Sequence, residues 1–395
     1  MTNFLFPSLS CSRFFSSSSS SSFFTTTSTV ILLLSISFSL FCLNTIIILS
    51  LPNNSNIERE TIPIDGGAFG PESLTFDANG EGPYTGVSDG RILKWLQFER
   101  RWSDFAAVNA SPSREGCGGP SPCEHVKMEH ICGRPLGLSF NKRTGDLYIA
   151  DAYMGLLVVG LKGGWASPIL LKAQNTSQAL KFTNGIDIDQ KSGLVYFTIS
   201  STQYQRRNYV SLIVSRDTSG SLMRYDPISQ NISILIKDLA FPNGVLLSKD
   251  TNSILIAEST NCRILRYWLE TEKAGTIELF AELPGFPDNI KRNDRGEIWV
   301  GLHARKTKWL NWILSKPWVG EMLANLPFDI TKGYSYLGRW KGVGLALKLN
   351  ENGKIVKVLE DSSGNGWKYI SEVVEKDGIL WIASIKMPFV GILPI

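Results

Sequence analysis

Five oxygen-bearing side chains recur in one kind of local setting: Gly70-Pro-Glu72-Ser, Thr183-Asn184-Gly185, Pro242-Asn243-Gly244 and Pro287-Asp288-Asn289. Two carboxylates and three carboxamides form an all-oxygen donor set. Such a set suits a hard cation with about six to eight ligands, calcium foremost and magnesium less well. Asn-Gly and Pro-Asp-Asn are also common turn sequences, because Asn and Gly tolerate the left-handed backbone region. What singles these out is their shared place relative to the strands that follow. A second set of candidates closes the next strand in each case: Asp151, Tyr153, Ser200, Glu258 and His303. Among the three histidines, His303 is best placed for proton transfer, since a free imidazole titrates near about 6.5. His125 and His130 flank a cysteine-rich segment and read as loop residues. No G-x-S-x-G, phosphate loop or H-E-x-x-H occurs, so serine-triad, nucleotide and zincin chemistry lack support. No C-x-x-C pair offers a zinc framework.

The elements that must position these residues read as short strands punctuated by Gly, Asn and Asp turns. Similar strands appear at Gly145–Asp151, Gly193–Thr198, Ser253–Glu258, Gly296–Gly301 and Gly378–Ala383, with a weaker sixth at Tyr84–Asp89. Six copies predict radially repeated four-stranded blades, a six-bladed β-propeller of all-β class over residues 58–395. Ring closure removes exposed sheet edges, which is the physical reason for such an architecture. Turns feeding the innermost strands would gather Glu72, Asn184, Asn243, Asp288 and Asn289 around the central axis. One helical insertion is expected in blade five, at about Lys306 to Leu326, carrying Trp309, Trp312 and Trp318. It reads as a helix packed on the propeller, with a lid or membrane-facing surface as the alternative. Forty basic against 36 acidic side chains leave a net charge of +4 without a basic stripe, which argues against nucleic acid as a partner.

Residues 1–57 read as a Ser-rich targeting region. No charge occurs from Phe14 to Ile57, and Val30–Leu51 is a run of 22 mostly apolar residues. That run is long enough to span a bilayer at about 1.5 Å per residue, and it equally resembles an overlong signal-peptide core. Either way Arg13 would leave the remainder in the lumen. The expected location is the secretory pathway: endoplasmic reticulum lumen, vacuole or outside the cell, with membrane association through residues 30–51 if the run is kept. Sequons at Asn53, Asn109, Asn175 and Asn231 agree with glycosylation on that route. Cys117, Cys123 and Cys132 crowd one segment where a disulfide would form in an oxidising compartment. Three cysteines leave one over, and Cys117–Cys132 is the preferred pairing. Cys262 reads as a small core residue.

Several motifs in one order resemble the strictosidine synthase family of plants: Cys132-Gly-Arg-Pro-Leu-Gly-Leu138, Tyr148-Ile-Ala-Asp-Ala-Tyr153, Ser201-Thr-Gln-Tyr204, Met223-Arg-Tyr-Asp226 and Asn289-Ile-Lys-Arg-Asn293. Gly70–Phe76 and Asp377–Ala383 agree as well. The resemblance implies a six-bladed propeller, a secretory or vacuolar location and a disulfide reaching Cys132. It also implies a Pictet–Spengler condensation of an amine with an aldehyde, with a glutamate as general base. Counting back from Gly378, that glutamate falls on Ser371, and a hydroxyl cannot take up a proton at neutral pH in that role. Glu372 is adjacent, and reaches the same face only through a bulge or register change. Ile199 replaces a second family position, an aspartate. Paraoxonase-like and regucalcin-like lactonases resemble the chain in fold, and their calcium ligand pattern falls on Glu72, Asn184, Asn243, Asp288 and Asn289.

The expectation is thus a calcium-dependent hydrolase of a small hydrophobic ester, lactone or other plant metabolite. Calcium would polarise the carbonyl, and His303 or an axial carboxylate would activate water. The alternatives are the amine–aldehyde condensation with Glu372 as base, or a propeller that binds a metabolite or partner without catalysis.

Overall fold

The computed structural model describes residues 60–109, 116–118, 122–169, 182–327, 329–334, 343–361 and 366–395. The apolar run Val30–Leu51 and the sequons at Asn53 and Asn175 lie outside these residues. Among the described residues no helix is long and apolar enough to cross a membrane.

Six blades form the ring that the repeated strands predict; five are four-stranded, and the first adds Gly164–Trp165 as a fifth strand parallel to Arg101–Ala107. The innermost strands are Leu74–Thr75, Pro135–Phe140, Thr183–Ile188, Pro242–Leu247, Gly285–Arg292 and Ile370–Lys376, which number blades 1 to 6. Each strand repeat recognised in the sequence is the second strand of its blade, for example Ser253–Glu258 in blade 4 and Ile379–Ser384 in blade 6. Pro242–Leu247 and Ser253–Glu258 are buried along their whole length, whereas Ile355–Asp361, the outermost strand of blade 5, is largely exposed. Inner strands are covered on both faces by neighbouring blades, so they read as unbroken apolar runs. The core consequently lies between blades: Leu246 and Ile264 of blade 4 pack on Ile290, Val300 and Leu345 of blade 5. Each such side chain contributes roughly 1.5–3 kcal/mol by leaving water. Glu60–Pro63 pairs antiparallel with Phe389–Pro394, with Ile62 opposite Val390, and so closes the ring from the other end of the chain. By internal contacts Glu58–Ile395 forms one unit.

Four helices matter to the site. α1 (Pro122–Cys132) joins blades 1 and 2, and α2 (Tyr209–Ser215) follows the second strand of blade 3. The expected single insertion in blade five is instead two helices, α3 (Lys308–Leu314) and α4 (Pro317–Ala324). Pro317 supplies the reason: it has no N–H to continue a helix and forces Lys316 out of the helical region, to φ −125° and ψ 85°. Thr307 caps α3 by accepting a hydrogen bond from Leu310 N.

Cys117 and Cys132 form a disulfide with Cα atoms 5.7 Å apart. Closing a loop with a sequence separation of 15 restricts the unfolded chain by about 3 kcal/mol, and it pins the C-terminus of α1. Cys262 is a buried free thiol pushed up to about 12 by burial, so it stays protonated and unreactive.

Candidate functional site: an axial ring of oxygen donors

In blades 2 to 6 the innermost strand loses register with its neighbour at one equivalent place. The shifts fall between Pro135 and Gly137, Thr183 and Ile186, Pro242 and Val245, Pro287 and Ile290, and Ile370 and Glu372. A bulge adds a residue and re-aims a side chain. The re-aimed residues are Leu136, Asn184, Asn243, Asp288 and Ser371. Glu72 completes the ring from blade 1, its carbonyl accepting a 2.6 Å hydrogen bond from Ser371 Oγ. Glu72, Leu136, Asn184, Asn243 and Asp288 line one cavity of about 50 Å3. Asn184, Asn243 and Asp288 therefore lie inside the starts of their inner strands rather than in turns ahead of them, whereas Glu72 precedes Leu74–Thr75 by two residues. Asn289, one residue past Asp288, does not line the cavity, because successive side chains of a strand alternate. Gly185 occupies the position that matches Asn289. A Cβ there would stand 2.3 Å from Asn243 O of the next blade, so the glycine of the Asn-Gly pair serves blade packing.

The ring's oxygens are aimed but unused. Asn184 Nδ2 donates to Ser200 Oγ at 3.0 Å, and Ser200 in turn donates to Pro242 O at 2.8 Å. That fixes the amide and leaves Asn184 Oδ1 buried without a hydrogen-bond partner, as are Asn243 Oδ1 and Asp288 Oδ1. Burial, then the Glu72 carboxylate nearby, push Asp288 well above the usual carboxylate range. Burial also raises Glu72, against the pull of Arg134 and Arg206. Orphaned oxygens cost free energy in a protein interior, so three of them facing one small cavity fit a hard cation. Glu72 is shared: its Oε2 lies 3.3 Å from Arg134 Nη2 and 4.0 Å from Arg206 Nη2. Among the described residues no three His, Cys, Asp or Glu gather into a metal cluster.

The two arginines, Glu129 and Tyr209 were not among the candidates read from the sequence. Arg134 is fully buried, and its Nη2 donates to Gly70 O at 2.8 Å. Arg206 belongs to a short 3-10 turn before α2 and pairs with Glu129 of α1 at 2.6 Å; Tyr153 Oη donates to the same carboxylate at 2.9 Å. The disulfide-pinned helix thus holds the guanidinium that faces Glu72. No periodic signal marks Arg206 in the sequence.

His303 also lines the cavity, with Nε2 3.4 Å from Tyr209 Oη. Tyr334 stacks on its ring, and Lys386 lies over Tyr369, which is itself against the imidazole. Burial, then the charges of Lys386 and Arg206, push His303 down to about 3. The imidazole is therefore neutral at physiological pH and offers an acceptor rather than a strong base. The unfolded chain takes up this proton near 6.5 and the folded one near 3. Its contribution to stability is thus complete above pH 6.5 and is lost as pH falls toward 3. Asp151, Glu372, Glu72 and Asp288, all raised by burial, act in the opposite sense over the same range, so the histidine is read by difference. In urea titrations from pH 7 to pH 4 the stability of wild type should fall relative to that of His303→Gln, by at most about 1.4 kcal/mol per pH unit. Parallel pH profiles for the two proteins would contradict the assignment.

The other candidates are engaged elsewhere. Asp151 accepts hydrogen bonds from Tyr153 N and Met154 N, and burial pushes it up to about 6. Glu258 accepts from Ala240 N and from the side chains of Asn261 and Arg263. A register shift does precede Glu372, but the same shift recurs in blades 2 to 5, so Ser371 holds the strand position equivalent to Asn184, Asn243 and Asp288, with its hydroxyl donated to Glu72 O. Glu372 accepts from Leu74 N at 2.6 Å and lies 3.6 Å from Lys291 Nζ; burial pushes it up to about 7. It does not line the cavity. Ile199 is a core residue. Asn231 is exposed, whereas the Asn109 side chain is half-buried and donates to Ile131 O.

A six-bladed propeller with a polar axial cavity, an oxygen-donor ring and two arginines defines the class. Residues 184–272 match the family described as strictosidine synthase, and residues 57–95 match its strictosidine synthase-like N-terminal region. Protein STRICTOSIDINE SYNTHASE-LIKE 2 of Arabidopsis thaliana is 51% identical over 336 residues, covering 83% of this chain and 88% of that protein. Protein STRICTOSIDINE SYNTHASE-LIKE 10 of the same plant is 48% identical, covering 82% and 85%. The chain belongs to the strictosidine synthase-like family. Among solved structures it is similar in fold to a calcium-binding regucalcin from Agrobacterium tumefaciens, with TM-score 0.53, 13% identity and coverage of 85% and 93%. A gluconolactonase from Xanthomonas campestris is also similar, with TM-score 0.52, 12% identity and coverage of 86% and 99%.

Proposed function

We propose that the axial ring holds a calcium ion and that the protein hydrolyses a hydrophobic ester or lactone. The observation that carries this reading is the convergence of three unpartnered buried oxygens, Asn184 Oδ1, Asn243 Oδ1 and Asp288 Oδ1, on a cavity that Glu72 also lines. Glu72, Asn184, Asn243 and Asp288 would hold the ion, with Asn289 behind Asp288 on the same strand. When bound there, calcium supplies Lewis acidity toward a carbonyl oxygen. A space of about 50 Å3 admits an ion with little more than a water, so the body of the substrate would rest above the ring. Phe182, Phe241, Phe286 and Tyr209 form that apolar wall. His303, neutral, would accept a hydrogen bond from the attacking water and orient it. Arg206 would steady negative charge beside Glu72. An oxidising secretory compartment accords with the disulfide and with the apolar N-terminal run.

Melting of the chelator-treated protein tests the metal. Calcium at about 100 times its dissociation constant should add about 2.7 kcal/mol of stability and raise Tm. No shift across millimolar calcium would remove the metal from this reading. A shift with no turnover over a broad ester and lactone panel would leave a calcium-binding propeller without hydrolase activity.

A further inference from the structure

The helical insertion of blade 5 presents an apolar surface that the axial site does not use. On its inner side Leu310, Ile313, Val319 and Leu323 pack with Val210 and Val214 of α2. Gly320 lets α4 press against α2 backbone to backbone, since a Cβ there would stand 1.8 Å from Val214 O. The two helices are therefore fixed, and what they turn outward is fixed with them. Those outward residues are Trp309, Trp312, Trp318 and Met322, exposed by 37%, 45%, 65% and 48%. Trp309 stacks on Trp312 with ring centroids 5.2 Å apart, so the indoles form a surface rather than scattered points. One exposed tryptophan needs no explanation; four large apolar groups on one short insertion do. Lys306, Lys308 and Lys316 are exposed around them, and Glu321 is the one acidic residue from 305 to 325.

We propose that the outer face of α3 and α4 docks on the headgroup layer of an anionic phospholipid bilayer. Indoles prefer the boundary between hydrocarbon and water, where the ring is buried and the N–H stays wet. Lysines bordering an apolar patch lay their stems along it and place their ammonium groups among lipid phosphates. The underside of the same platform continues into the protein. Leu310 and Leu314 of α3 pack on the cluster containing Phe182, Phe241 and Phe286, which also wall the axial cavity. Docking would bring that wall to the lipid surface. The proposal stands apart from the chemistry of the ring and from the segment Val30–Leu51.

Glu58–Ile395 can be tested alone, because it carries its own ring-closing strand and lacks the N-terminal apolar run. It should co-sediment with phosphatidylcholine vesicles containing phosphatidylglycerol, and its tryptophan emission should shift to the blue. Brominated lipid should quench that emission. The double variant W312S/W318S should partition at least about tenfold more weakly with an unchanged melting temperature. Reversing Lys306, Lys308 and Lys316 to Glu should abolish the preference for anionic over neutral vesicles, since each basic group near such a surface strengthens binding by about fivefold. Wild-type protein that stays in solution with both vesicles, or a folded W312S/W318S that binds as well as wild type, would overturn the proposal. The patch would then belong to a protein partner.

Discussion

Replacing Asp288 by alanine should reduce hydrolysis of an ester or lactone substrate by about 10²- to 10³-fold, the scale seen when one group stabilising a developing oxyanion is removed. Asn243→Ala should fall in the same range. Both side chains point an unpartnered oxygen into the axial cavity, and neither is needed to hold a strand, since the inner strands are buried and paired without them. His303→Gln should cost less, about tenfold, because a neutral imidazole orients water without storing its proton. Stability should move the other way. Burial and the neighbouring Glu72 push Asp288 well above the usual carboxylate range, so a charge there destabilises the fold in the absence of a cation. Asp288→Asn should therefore melt at the same temperature as wild type or higher when calcium is absent, and lose the rise in Tm that calcium gives. Full turnover in both Asp288→Ala and Asn243→Ala would remove the ring from catalysis.

Arg134→Met should have the largest effect on the fold itself, about 3–5 kcal/mol, the cost of leaving one partner of a buried ion pair without the other. Arg134 lies within hydrogen-bonding distance of Gly70 O at 2.8 Å, Glu72 Oε2 at 3.3 Å and Ile385 O at 3.5 Å, so one side chain ties blade 2 to blades 1 and 6. Methionine matches much of its length and supplies none of those donors. Calcium should recover part of the loss, since the ion replaces the guanidinium as the positive charge beside Glu72. Wild type should show a smaller gain, because there Glu72 must leave Arg134 to serve the ion. Urea titrations with and without calcium measure both quantities. A loss below about 1 kcal/mol would show that the pair contributes little.

Much of this was legible in the chain. Each blade announces itself because its second strand is an apolar run bounded by Gly or Asp turns, as in Gly145–Asp151 and Gly378–Ala383, and such patterns depend only on neighbours in sequence. Four of the five residues, Glu72, Asn184, Asn243 and Asp288, could be grouped because they recur at one place in blades 1, 3, 4 and 5. The fifth, Asn289, was grouped with Asp288 by adjacency, while strand alternation separates their side chains. Ser371 rather than Glu372 likewise holds the position equivalent to Asn184, Asn243 and Asp288, since the register shift before Glu372 is shared by blades 2 to 5.

What sequence alone determined, then, is the number of blades and the grouping of residues that recur at the starts of their inner strands. These follow from local periodicity. Only the tertiary structure decided that Asn184, Asn243 and Asp288 are turned to one cavity by bulges at matching positions and that Arg134 and Arg206 stand beside Glu72. It also decided that burial leaves His303 neutral. Each of these depends on groups tens to hundreds of residues apart meeting in a dry interior, where charge and hydrogen bonding are set by surroundings that no stretch of chain carries with it.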